Sequence, residues 1–242
     1  MLESTKTVRE YAVEMPAATR IFESLGIDYC CGGHRSLADA CAKAGIAVDG
    51  VLDSLKKIEP SALNSDREEW QNAPLSELIT HIVEKHHVFT REELERLAAL
   101  LNKVCGVHGQ NHRELFDIQS EFKKLRCDLE PHMLKEEYVL FPYINLLEQT
   151  EARNAPAPVA PFGTVRNPVR MMMSEHDAAG DILRAIRQAS ADFTVPPDAC
   201  ISYQTLYRAL KELEADLHQH IHLENNILFP QAVEIEDAVN SR

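Results

Sequence analysis

Two stretches of the sequence carry the same set of chemically capable residues. "HMLKEEYVLFP" begins at His132 and "HIHLENNILFP" begins at His220. Both read His-x-x-x-Glu, then two residues, an aliphatic residue, and Leu-Phe-Pro. On an α-helix, residues i and i+4 share one face, with Cβ atoms about 5–6 Å apart. An imidazole and a carboxylate at that spacing can reach one metal ion, or the carboxylate can bridge two. The competing reading is a pair of solvated helix faces carrying ion pairs. The apolar Leu-Phe-Pro tails argue for burial instead, and a buried charge without a counter-charge is costly.

Each motif has an upstream partner. His87 lies 45 residues before His132, and His176 lies 44 residues before His220. The spacing therefore predicts two half-sites, His87 with His132 and Glu136, and His176 with His220 and Glu224. His86 and His87 are about 100° apart on a helix and cannot both point inward equally. Apolar periodicity does not choose between them, whereas the repeat offset favours His87. His108 sits between the first two predicted long helices, with His112 nearby, and either could be a further ligand. Met171–Met173 reads as core packing. A His-rich, carboxylate-poor donor set suits iron better than magnesium or calcium, which take oxygen ligands. Two carboxylates do not neutralise two iron ions, so an oxo or hydroxo bridge is expected.

A separate feature is "DYCCGG" at residues 28–33. Adjacent cysteines form only a strained ring as a disulfide, so a structural bridge is not expected. The glycines permit positive φ and a close turn. A helix N-terminus, His34 and Arg35 nearby would lower a thiol pKa. Cys30 and Cys31 are therefore expected to be an exposed, activated pair that handles iron or electrons.

The elements that must position these groups are helical, and the fold expected is all-α. "TVRE" offers a capping box from Thr7 to Glu10. Further short helices follow Pro16, Ser36 and Asp49, giving a short-helix N-terminal domain over residues 1–59. A polar, proline-bounded stretch at 60–74 reads as a linker. From Leu75 to residue 242, four long apolar-periodic segments predict an up-and-down four-helix bundle. They run from Leu75 to Cys105, Asn111 to Gln149, Asn167 to Ala191 and Ile201 to Glu236. Pro131, just before His132, predicts a kink or a wide turn there.

With 25 Lys and Arg against 38 Asp and Glu, the formal net charge of -13 argues against a nucleic-acid partner. No apolar run reaches the roughly 20 residues of a membrane span. No secretory signal is evident, so the expected compartment is the cytoplasm, with the six cysteines reduced.

In this order, the CCGG segment, the "SEHD" helix and the two His-x-x-x-Glu segments ending in "LFP" make the chain resemble the Repair of Iron Centres family over essentially its full length. The bundle alone resembles the broader hemerythrin-like class. The resemblance implies a hemerythrin-like four-helix bundle with two non-haem iron ions and an oxo bridge. Carried over by position, its ligands are His87, His108, His132, Glu136, His176, His220 and Glu224, with the glutamates bridging. It implies repair of iron-sulfur clusters damaged by nitrosative or oxidative stress, with damaged iron-sulfur proteins as partners and NO or O2 as small ligands. Two other activities are compatible with these ligands: reduction of NO at the iron pair, and hemerythrin-like binding or sensing of O2 or NO. A homodimer is also carried as an expectation.

Overall fold

A computed structural model of the chain describes residues 2–58 and 70–242. Residues 59–69, which include most of the expected linker at 60–74, lie outside the described residues. The described residues are all-α, with no strand among them; the one β-type pairing is an isolated bridge between Thr7 and Ser36. The helices are α1 (Val8–Glu14), α2 (Ala18–Ser24), α3 (Leu37–Ala44), α4 (Val48–Lys56), α5 (Leu75–His81), α6 (Val88–His108), α7 (Glu114–Lys135), α8 (Phe141–Ala152), α9 (Arg166–Ala189), α10 (Ile201–Leu223) and α11 (Phe229–Asn240). Among the described residues, three wide-turn π segments interrupt the long helices, at Ile82–His87, Glu136–Leu140 and Glu224–Leu228.

The chain divides into two compact units. The first comprises residues 1–80, 144–165 and 218–242; the second comprises residues 81–143 and 166–217.

In the first unit, local sequence sets the ends of the short helices. Thr7 Oγ1 accepts the Glu10 N–H while the Glu10 carboxylate accepts the Thr7 N–H, the reciprocal box expected from the spacing. Ser36 caps α3, and Gly45 ends it in the left-handed region at φ 71°, where a Cβ would be strained. Val8, Tyr11, Phe22, Leu37, Val51 and Leu55 form the centre of a small apolar core. Such a core is marginal alone. Further bonds within the unit tie it down: the Gln71 amide donates to the Val13 carbonyl at 2.8 Å, and the Glu148 carboxylate accepts from the backbone N–H groups of Leu75 and Ser76.

The second unit is built on α6, α7, α9 and most of α10. Leu94, Leu97, Leu101, Ile118, Phe122, Leu125, Leu183, Leu210 and Leu217 fill its core at helical spacing. α6 continues past Cys105, the expected end of the first long segment, through Gly106 to His108 and is capped at Gly109. Of the methionine run, only Met172 is buried; Met171 and Met173 are exposed, since three consecutive residues cannot share one helical face.

Pro131 lies within the α-helical run of α7, and the wide turn comes later. Phe141 N–H donates to the Glu136 carbonyl, and Phe229 N–H donates to the Glu224 carbonyl, both i to i−5. The second motif has Gln219 where the first has Pro131. The same widening therefore occurs without a preceding proline, and Pro131 is not its cause.

Candidate metal centre

The second unit carries four of the expected ligands at its buried centre. His87, His132, Glu136 and His176 are all 2 % exposed or less. His132 Nε2 lies 3.2 Å from Glu136 Oε1, the i,i+4 pair read from the sequence. His87 Nε2 lies 3.5 Å from Glu136 Oε2, and His176 Nε2 lies 3.9 Å from Glu136 Oε1. Glu136 thus turns one oxygen towards His87 and the other towards His132 and His176. His132 and His176 bring their Nε2 atoms to 3.0 Å of each other.

The opposite ring nitrogens explain this orientation. His87 Nδ1 is 2.6 Å from Glu137 Oε1, which also accepts from Arg91 at 2.7 Å. His132 Nδ1 is 2.7 Å from Glu175 Oε2, and Lys135 pairs with the same carboxylate. A carboxylate on Nδ1 favours a proton there, leaving Nε2 as a lone pair aimed inward. Burial pushes the Glu137 carboxyl up, but His87 and Arg91 together more than offset this and hold it below its ordinary value. Glu175 behaves likewise, with Lys135 and His132 outweighing burial. His132 Nε2, His176 Nε2 and the buried Glu136 carboxylate thus converge on one point, three donor groups that a single cation could share. The donor chemistry therefore fits a metal ion.

Glu137 and Glu175 are neither the His nor the Glu of a His-x-x-x-Glu motif. Each stands one residue from an expected ligand, in "KEEY" and "SEHD", and that adjacency was the available signal.

The first unit carries the remaining pair. His220 Nε2 lies 3.1 Å from Glu224 Oε1, with both residues buried. This repeats the His132–Glu136 geometry. Glu136 and Glu224 each open a π segment, and His87 closes another. π segments recur at functional sites because the extra residue re-phases the helix.

His108 is corrected. It ends α6, 21 residues beyond His87, which at 1.5 Å per residue places it about 30 Å away along the helix. There its Nε2 lies 3.2 Å from Cys200 Sγ and its ring packs against Tyr203. His112 is no substitute; it pairs with Glu114 and Asp198. A residue in the turn between two long helices cannot reach a site at the helices' other ends. His86 is buried as well, with Nδ1 3.0 Å from Asp216.

The cysteine loop also departs from expectation. Cys30 is buried and Cys31 half-buried. Cys31 alongside, together with burial and the Asp28 carboxylate, holds the Cys30 thiol well above its usual range. An exposed, activated pair is therefore not what folds. Neither Gly32 nor Gly33 has positive φ. Their role is close approach: a Cβ on Gly33 would lie 2.7 Å from the Tyr29 carbonyl oxygen and 3.2 Å from Arg9 Cβ. The Arg9 N–H donates to the Gly33 carbonyl at 2.7 Å, which brings α1 against the loop.

Within the first unit the loop is fastened to the π segment headed by Glu224. Asn226 Nδ2 donates to the Tyr29 carbonyl at 3.1 Å, and Asn225 Nδ2 approaches the Cys30 carbonyl at 3.5 Å. Arg9 Nη2 donates to the Asn226 carbonyl at 3.1 Å. The Tyr29 ring meets His222 edge-on at 5.5 Å, and burial holds His222 down to about 4. The cysteines thus sit beside the residues that immediately follow Glu224.

These features define a helical cation-binding protein of the hemerythrin type. The hemerythrin HHE cation-binding domain matches residues 78–232, and a domain of unknown function (DUF542) matches residues 4–59. The chain is 36 % identical over 224 residues to the iron-sulfur cluster repair protein YtfE of Escherichia coli O81, covering 93 % of this chain and 94 % of that one. It is 35 % identical, with the same coverage, to the protein of that name from Escherichia fergusonii. The chain belongs to this family of iron-sulfur cluster repair proteins.

Proposed function

We propose that the chain repairs damaged iron-sulfur clusters by supplying iron from a pair of ions held by His87, His132, Glu136, His176, His220 and Glu224. The observation that carries this is the repeated His-Glu pair, 3.2 Å apart in one copy and 3.1 Å in the other, both buried. One family model spanning both copies supports reading them as a single centre. In this reading Glu136 and Glu224 would be carboxylates shared by the ions, with an oxo or hydroxo group balancing the remaining charge. Bound ferrous iron would supply redox capacity and a position open to NO or O2.

The chain's own residues orient and retain the metal. Glu137 and Glu175 hold the imidazoles of His87 and His132, and burial excludes water. Cys30 and Cys31, beside the Glu224 segment, receive or pass the ion. The reading divides the chain into a cysteine module at 1–59 and a metal-holding bundle at 75–242. It places the work in the cytoplasm, where free thiols survive. The clients are iron-sulfur proteins damaged by nitrosative or oxidative stress.

The test adds iron-loaded protein to an NO-damaged iron-sulfur enzyme and follows recovered activity. Recovery should outpace that with an equal amount of free ferrous iron. Equal rates would defeat the repair reading. Release of nitrous oxide under turnover with NO would favour the NO-reducing enzyme instead. A reversible O2 adduct with no repair would favour a binder or sensor. Size determination on the loaded protein decides between monomer and homodimer.

A further inference from the structure

The cysteine loop holds its polar atoms in a pattern that closing a turn does not require. Cys30 Sγ and Cys31 Sγ lie 3.8 Å apart, and Cys30 Sγ lies 3.5 Å from Asp28 Oδ1. All three residues offer ligand atoms within 4.8 Å of one another. A tetrahedral ion with metal–sulfur bonds of about 2.3 Å sets its two sulfurs about 3.8 Å apart. With a metal–oxygen bond of about 2.0 Å, it sets sulfur and oxygen about 3.5 Å apart. Both separations match edges of such a tetrahedron.

We propose that Asp28, Cys30 and Cys31 form a second metal site, which takes one thiophilic divalent cation with its fourth position open. The surroundings support this. The backbone N–H groups of Cys31 and Gly32 donate to Asp28 Oδ1 at 3.0 and 2.8 Å, fixing the carboxylate against the sulfurs. Arg35 is close by: its Nη1 and Asp28 Oδ2 lie 3.2 and 3.0 Å from the point a Cβ on Gly32 would occupy. Two thiolates and one carboxylate carry −3; Arg35 brings the sum to −2, which a divalent ion neutralises. Two adjacent thiolates beside a carboxylate repel one another, and a shared cation relieves that repulsion. Binding forms two metal–sulfur bonds and releases both thiol protons to solvent.

Three protein ligands and an open position suit a site that hands its ion on rather than one that keeps it. The link to iron supply rests on the function proposed above. Metal binding at the loop does not.

The probe is cadmium, titrated into the full-length, iron-loaded protein carrying Cys127→Ser and Cys200→Ser. Those substitutions remove the two exposed thiols. One equivalent should bind with thiolate-to-cadmium ultraviolet absorption, which His and Glu ligands do not produce. Cys31→Ser, at a half-buried position, should abolish the absorption while helical circular dichroism is unchanged. Asp28→Asn should weaken binding about tenfold. No absorption in the parent, or undiminished absorption in Cys31→Ser, would overturn the site. A chain that binds cadmium at the loop yet repairs no cluster would defeat the proposed function and leave this site standing. The converse result would remove the site alone.

Discussion

At the scale of single residues, Glu137 and Glu175 orient His87 and His132, two imidazoles of the proposed metal centre. Replacing Glu137 by Gln should leave the fold intact and weaken iron binding 10–100-fold, because His87 loses the partner that sets its tautomer. Chelator competition on the iron-loaded variant measures this. Glu136→Gln strikes harder, since one carboxylate faces three imidazoles; iron content should fall by half or more by elemental analysis. A third prediction concerns Cys200. Hydrogen bonding from the Tyr203 N–H and then from His108 brings its thiol down to about 7. Because the thiolate is the reactive form, alkylation by iodoacetamide should rise with pH and reach half its maximum near pH 7. His108→Ala should move that midpoint upward. The His-Glu pairs were legible because i,i+4 spacing is a direct statement about one helical face. The resemblance carries a ligand onto His108, but the 21 residues of α6 set that histidine about 30 Å from His87. The burial of Cys30 was also out of reach, since Asn225 and Asn226, which fasten its loop, lie some 195 positions away.

At the scale of elements, four long segments and four short helices follow from periodicity and from caps such as Thr7 and Ser36. The π segments do not, because one extra residue in a turn leaves no mark on composition. Buried ion pairs within the second unit add a constraint of their own. Glu214 is buried and receives Arg187 Nε at 3.0 Å, with Nη2 on its other oxygen. Arg187→Ala would leave that carboxylate without its guanidinium. The cost should be about 2–3 kcal/mol, below the usual range for a broken buried pair because Arg187 is partly solvated. Chemical denaturation measures it, and a loss below about 1 kcal/mol would show that water replaces the arginine.

At the scale of the whole molecule, the first compact unit is assembled from three separated stretches: residues 1–80, 144–165 and 218–242. A chain that starts at Leu75 lacks α1 to α4, and with them the cover that Tyr29 gives His222. Such a truncated chain should lose iron to a chelator faster than the full chain; equal rates would show that the cover plays no part in retention. The unit's make-up also has a consequence for biosynthesis. Cys30 leaves the ribosome about 195 residues ahead of Asn225, which at 5–20 residues per second is a lead of about 10–40 s. Throughout that interval the vicinal thiols are in the cell without the asparagines that seat them. The nascent chain is then open to oxidants in a way the finished protein, with Cys30 buried, is not. Its vulnerability to the stress it counters is greatest during its own synthesis.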